Sequence, residues 1–165
     1  MSKHWDFIAQ CLRAELADYG GLLHLFEAQQ RSLFSRDPDA VLRFANEIET
    51  QARVVSESRN RREQAVAGFA EENGRPTTTS LRAMLPLIEA DARPLLEALI
   101  SEVNLLLHRV RRTSRHNHTL LSRAVEMHRE TLQQLRPQAF TRTYSNAGRV
   151  AIAVAQPPAT LRVAG

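Results

Sequence analysis

One cysteine in 165 residues, Cys11, excludes an internal disulfide and any multi-cysteine metal site. No basic-then-apolar leader precedes it, and the expected setting is reducing and cytoplasmic. Glycine and proline are missing where an all-β chain would need them. The stretch between Pro38 and Gly68 holds neither, whereas a sandwich or barrel calls for a turn about every ten residues. No apolar run approaches the roughly 18 residues of a membrane span, and the longest, Val150-Ala151-Ile152-Ala153-Val154-Ala155, has six. Aromatic residues are 5% of the chain, and none lies within the basic run Arg109, Arg111, Arg112, Arg115. That cluster therefore lacks the rings that stack on nucleic-acid bases.

What is present has the composition of one globular domain, with 43% hydrophobic and 24% charged residues. A chain of this length buries roughly 70% of the surface that its unfolded form exposes. The net charge of +4 is modest but unevenly placed: the segment from 37 to 75 is acidic, and everything after residue 76 is basic.

Residues 2–35 read as the first long helix, with Ser2 as its N-cap and Trp5, Leu12, Tyr19, Phe26 and Leu33 at unbroken sevens. Ile8, Leu16, Leu22 and Leu23 widen this seam into a face. Gly20-Gly21 costs about 2 kcal/mol relative to alanine, so a bend or frayed turn is expected there. Arg36-Asp37-Pro38-Asp39 stops one helix and starts the next, with Asp37 as N-cap and Pro38 in the first turn, which makes the two helices antiparallel. The second helix carries Val41, Ile48 and Val55 at sevens and resumes with Val66 and Phe69 after nine residues, SESRNRREQ, without a hydrophobic side chain. Asn73-Gly74 ends it, and Ser80 to Ile88 forms a short helical turn broken at Pro86.

The third long helix starts from Asp91 and carries an apolar stripe from Leu95 to Val110. A second nine-residue polar gap, RRTSRHNHT, follows, and then Leu120, Leu121, Val125, Leu132 and Leu135 resume the stripe until Pro137. The two equal gaps are expected to face one another, Glu57 and Glu63 meeting Arg111, Arg112 or Arg115. Residues 137–165 lack helical periodicity and read as a flexible basic tail behind a helical domain of residues 1–136. The expected fold is all-α: a long antiparallel three-helix bundle or coiled coil, with a short extra helix between helices 2 and 3.

Chemistry finds little footing. His108, His116, His118 and His128 share one helix, but no pair stands at i, i+3 or i, i+4, so solvated surface histidines are expected and no metal site. Cys11 sits inside the first heptad pattern as a packing residue. No phosphate loop, HExxH or GxSxG is present, and neither an enzyme nor a cofactor is expected. Binding remains. The stripe from Leu120 to Leu135 is either a docking surface or ordinary core against helix 1 or the start of helix 2.

The opening LxxYGGLLHLFEAQQRSLFSRDPDAVLRFANEIE from Leu16, the Asn104 and Asn117-x-x-Leu120-Leu121 pattern, and the closing Thr143-Tyr144-Ser145-Asn146-Ala147-Gly148 occur in this order. Over roughly residues 16–150 the chain thereby resembles the FlgN-type flagellar export chaperones, though Gly20-Gly21 and the end from Val150 onward lie outside the resemblance. The resemblance implies that Leu120, Leu121, Val125, Leu132 and Leu135 bind the C-terminal region of hook-associated (hook-filament junction) proteins and prevent their premature self-association. It also implies docking on the cytoplasmic domain of the type III export gate through Tyr144. Arg111, Arg112, Arg115 and Asn117 are candidate polar contacts. Neither nucleic acid nor a membrane is an expected partner on this reading. The alternatives are a basic helical module that binds nucleic acid or an acidic partner through its arginines, and a structural coiled-coil homodimer suggested by the strict sevens of helix 1.

Overall fold

The structure, a computed structural model, describes residues 4–135, 141–144 and 150–153. The chain divides into two compact units, the first ending at Thr119. In the first, helix α1 (His4–Phe34) is continuous through Gly20-Gly21, where a bend or frayed turn was the expectation. Packing explains the glycines. A Cβ on Gly21 would lie 3.1 Å from Nε2 of Gln51, and that amide donates to the Asp18 carbonyl at 2.9 Å. The missing side chain lets a residue of the second helix reach the α1 backbone.

α1 ends and α2 (Pro38–Glu72) begins within three residues. The Asp37 amide donates to Ser32 O and the Arg36 amide to Leu33 O, the two bonds of a Schellman stop. Arg36 occupies its left-handed position at φ 55°. Asp37 then serves as N-cap, its side chain accepting from the Ala40 amide at 3.0 Å, with Pro38 in the first turn. The helices run antiparallel, as contacts from His4 to Glu72, Glu15 to Arg62 and Gln29 to Val41 show. α2 closes with a second Schellman pair, Arg75 to Ala70 O and Gly74 to Glu71 O, and here glycine takes the positive φ of 63°.

Ser80 caps the short α3 (Leu81–Met84), which tightens into a 3-10 turn at Leu85–Leu87 where Pro86 breaks the ladder. Its buried Leu81, Met84 and Leu85, with Ile88, seal one end of the core. Helix α4 (Arg93–Leu135) starts two residues after Asp91. Arg93 donates to the Ile88 and Pro86 carbonyls at 2.8 Å, satisfying acceptors that the turn leaves open, and buried Ala92 anchors the start. Contacts from Trp5 to Glu89 just before α4, then from Glu27 to Arg109 and from Gln30 to His116, run in the same order along both helices, so α4 lies parallel to α1 and antiparallel to α2. The architecture is the expected three long helices with a short one between the second and third.

The core follows the sevens. Leu12 and Tyr19 are buried, Trp5 and Phe26 pack half-buried against the core, and Ile8, Leu22 and Leu23 are buried beside them, while Leu33 at the end of α1 is half-buried. α4 buries Leu96, Val103, Val110 and Asn117, again at sevens. The second unit begins at Leu120 and comprises the last sixteen residues of α4 and two antiparallel strands, β1 (Thr141–Tyr144) and β2 (Val150–Ala153), in the register Thr141 with Ala153 through Tyr144 with Val150. These strands lie within the segment that periodicity reads as a tail.

Candidate partner-binding surface

Both nine-residue polar gaps turn toward α1 and not toward each other. Within the α2 gap, Arg62 Nε donates to Glu15 Oε2 at 2.5 Å, and Ser58 donates to Asp18. Glu63, expected against the α4 arginines, instead pairs with Arg59 one turn away, and that guanidinium holds its carboxyl below the usual range. Within the α4 gap, Asn117 Nδ2 donates to Phe26 O at 2.7 Å and to Gln29 Oε1 at 3.2 Å, while the Gln30 amide meets His116 Nδ1 at 2.8 Å. The physical reason is the α1 seam itself. Ile8, Leu12, Glu15, Tyr19, Leu22, Phe26, Gln29 and Leu33 follow the alternating three-and-four spacing of one inward line, and Glu15 and Gln29 place polar groups on it. Each gap is the matching polar layer of a neighbouring helix.

Glu15 is only 1% exposed, so its carboxylate depends on Arg62. Burial pushes the nearby Tyr19 hydroxyl up, and the Glu15 charge adds to the rise, while Arg59, Arg62 and Arg111 oppose it. Burial likewise raises the Cys11 thiol against the opposing charges of Arg61 and Arg62, which leaves it a packing group.

Asn117, a candidate polar contact on sequence grounds, is buried between α4 and α1, and its Oδ1 has no hydrogen-bond partner among the described residues. Arg111, Arg112 and Arg115 are exposed and make no ion pair among the described residues, whereas Arg109 lies 4.0 Å from Glu27. His116 and His118 are exposed, as are His108 and His128. Among the described residues, no three His, Cys, Asp or Glu side chains converge as an ion would require, and no helix is long and apolar enough to cross a membrane.

The second unit carries the largest run of solvent-facing apolar side chains on α4. Leu121, Val125, Leu132 and Leu135 are 42%, 59%, 57% and 73% exposed, and none belongs to the buried core. At about 100° per residue they fall, with His128 between them, in an arc roughly 80° wide. Leu120 and Ala124 flank this row and are half-buried. Tyr144 is the last residue of β1, paired with Val150; its side chain lies outside the described residues. Sequence reasoning missed Glu15, Gln29 and Arg62. The signal for the first two was their position on the seam that the bulky residues define.

A family model described as FlgN protein matches residues 1–151. No curated protein and no solved structure matches the chain. With nine-tenths of its length matched and three long helices ending in an uncovered apolar row, the chain belongs to the FlgN family of flagellar export chaperones, which act by binding and are not enzymes.

Proposed function

We propose that this protein holds the C-terminal region of hook-associated proteins on the α4 row Leu121, Val125, Leu132 and Leu135, flanked by Leu120, and so prevents their premature self-association. The observation that carries the reading is the row itself: four aliphatic side chains on one arc of a helix, solvent-facing in a family whose partners are hook-associated proteins. Such an arc suits an amphipathic partner helix, which presents apolar residues at the same spacing. Full burial of an aliphatic side chain is worth about 1.5–3 kcal/mol, and these are already partly covered, so the row supplies roughly 3–6 kcal/mol. Association alone costs about 4 kcal/mol or more. Additional contacts must therefore come from the flanks, and exposed Arg111, Arg112 and Arg115 suit carboxylates on the partner.

Delivery to the cytoplasmic domain of the export gate is assigned to Tyr144, in a cytoplasmic setting. Two torsions fix a tyrosine ring, so it anchors in a partner's pocket at low entropic cost. Co-purification with hook-associated proteins, intact and lacking about 40 C-terminal residues, tests the reading, since a helical face is covered by a segment on that scale. Retention of the intact form alone is expected. Equal retention of both forms, or of neither, contradicts it.

A further inference from the structure

The α2 polar gap has a second consequence. Between Ser56 and Gln64 the helix offers no apolar side chain, and Arg62 turns inward to Glu15. The apolar surface opposite is therefore not sealed. A cavity of about 350 Å³ remains, floored by Leu12, Leu81, Ile100 and Val103 and rimmed by Arg62, Arg82 and Asn104. This is at the lower end of ligand-sized cavities, which run from about 300 to 1,000 Å³. It lies wholly within the first unit.

The rim carries charge of one sign. Among the described residues, no carboxylate lines the cavity. Arg62 uses Nε and Nη2 on Glu15, and Nη2 also lies 4.0 Å from Glu63, which leaves Nη1, while exposed Arg82 makes no ion pair among the described residues. An apolar floor beneath two guanidiniums selects an occupant that is aliphatic at one point and anionic beside it. A basic peptide would meet like charge, and a nucleic-acid phosphate would leave the leucine and valine floor unfilled.

We propose that this recess docks a short segment of a partner protein that sets an aliphatic side chain beside a carboxylate, the aliphatic group entering between Leu81 and Val103 and the carboxylate meeting Arg62 and Arg82. Asn104, exposed at the mouth, supplies an amide to the segment's backbone. The site does not depend on the α4 row.

The test is titration of the isotope-labelled full-length protein with a capped peptide of alternating leucine and glutamate, followed by amide chemical shifts. Its lysine-for-glutamate counterpart serves as the control. The acidic peptide is expected to shift Leu81, Arg82, Ile100, Val103 and Asn104, and the lysine peptide to shift none of them. Asn104→Trp, which plugs the mouth, and Arg82→Glu, which reverses the rim charge, are each expected to weaken binding about tenfold or more with unchanged melting. Leu121→Asp, on the α4 row, is expected to bind the acidic peptide as the parent does. Equal shifts with both peptides, shifts confined to other residues, no shifts at all, parental affinity in both rim variants, or loss of binding in Leu121→Asp would each overturn the assignment.

Discussion

Replacing Arg62 with alanine would leave the Glu15 carboxylate buried on the α1 seam without its cation. The carboxylate is 1% exposed, and Arg62 Nε approaches it to 2.5 Å. Breaking a buried pair from one side costs about 3–5 kcal/mol, because the remaining charge keeps its desolvation penalty and loses its compensation. Against a total stability of about 5–15 kcal/mol this is a large fraction. Urea unfolding followed by far-UV circular dichroism should therefore show a much lower midpoint for Arg62→Ala. The double replacement Glu15→Leu/Arg62→Leu removes both charges and continues the leucine seam, and it should be neutral or up to about 4 kcal/mol more stable than the parent. A loss below about 1 kcal/mol in Arg62→Ala, or a double variant as unstable as the single one, would refute the view that a buried layer pairs these two helices.

Asn117→Asp is nearly isosteric but turns a carboxylate oxygen toward Phe26 O and Gln29 Oε1, and chemical denaturation should show a loss of about 1–3 kcal/mol. Arg36→Gly relieves a left-handed residue in the α1–α2 turn and should raise stability by about 0.5–1 kcal/mol in the same assay. Burial raises both Cys11 and Tyr19, so the native state holds these protons more tightly than the unfolded chain does. Stability should therefore be fully present below the ordinary thiol range and fall as pH rises from about 8 to about 11, and Cys11→Ala should remove the earlier part of that fall.

Much of the fold was legible because bulky residues at sevens have one physical use. Trp5, Leu12, Tyr19, Phe26 and Leu33 drew the α1 seam, and Asp37-Pro38 and Asn73-Gly74 marked the ends of α2 by caps whose hydrogen bonds are present. The polar layers were half legible. The two gaps stood out, but their partner was assigned by symmetry to each other, because Glu15 and Gln29 look like surface residues unless the three-and-four spacing of α1 is followed through them. Asn117 was misplaced for the same reason: it continues the sevens of Leu96, Val103 and Val110, yet its amide suggests solvent. The strands at Thr141–Tyr144 and Val150–Ala153 are four residues each, too short for alternation to stand out beside Gly148 and the prolines. The row from Leu121 to Leu135 was legible as a stripe, but only exposure separated it from core.

The central claim is that this row receives the partner. Leu121→Asp, compared with the parent by calorimetric titration against an intact hook-associated protein, tests it most directly, with helicity and melting temperature measured on the same samples. A carboxylate costs several kcal/mol wherever it is buried unpaired, so the place of the damage discriminates. The account predicts lost binding with helicity and melting nearly those of the parent; undiminished affinity, or a large drop in melting temperature, would contradict it.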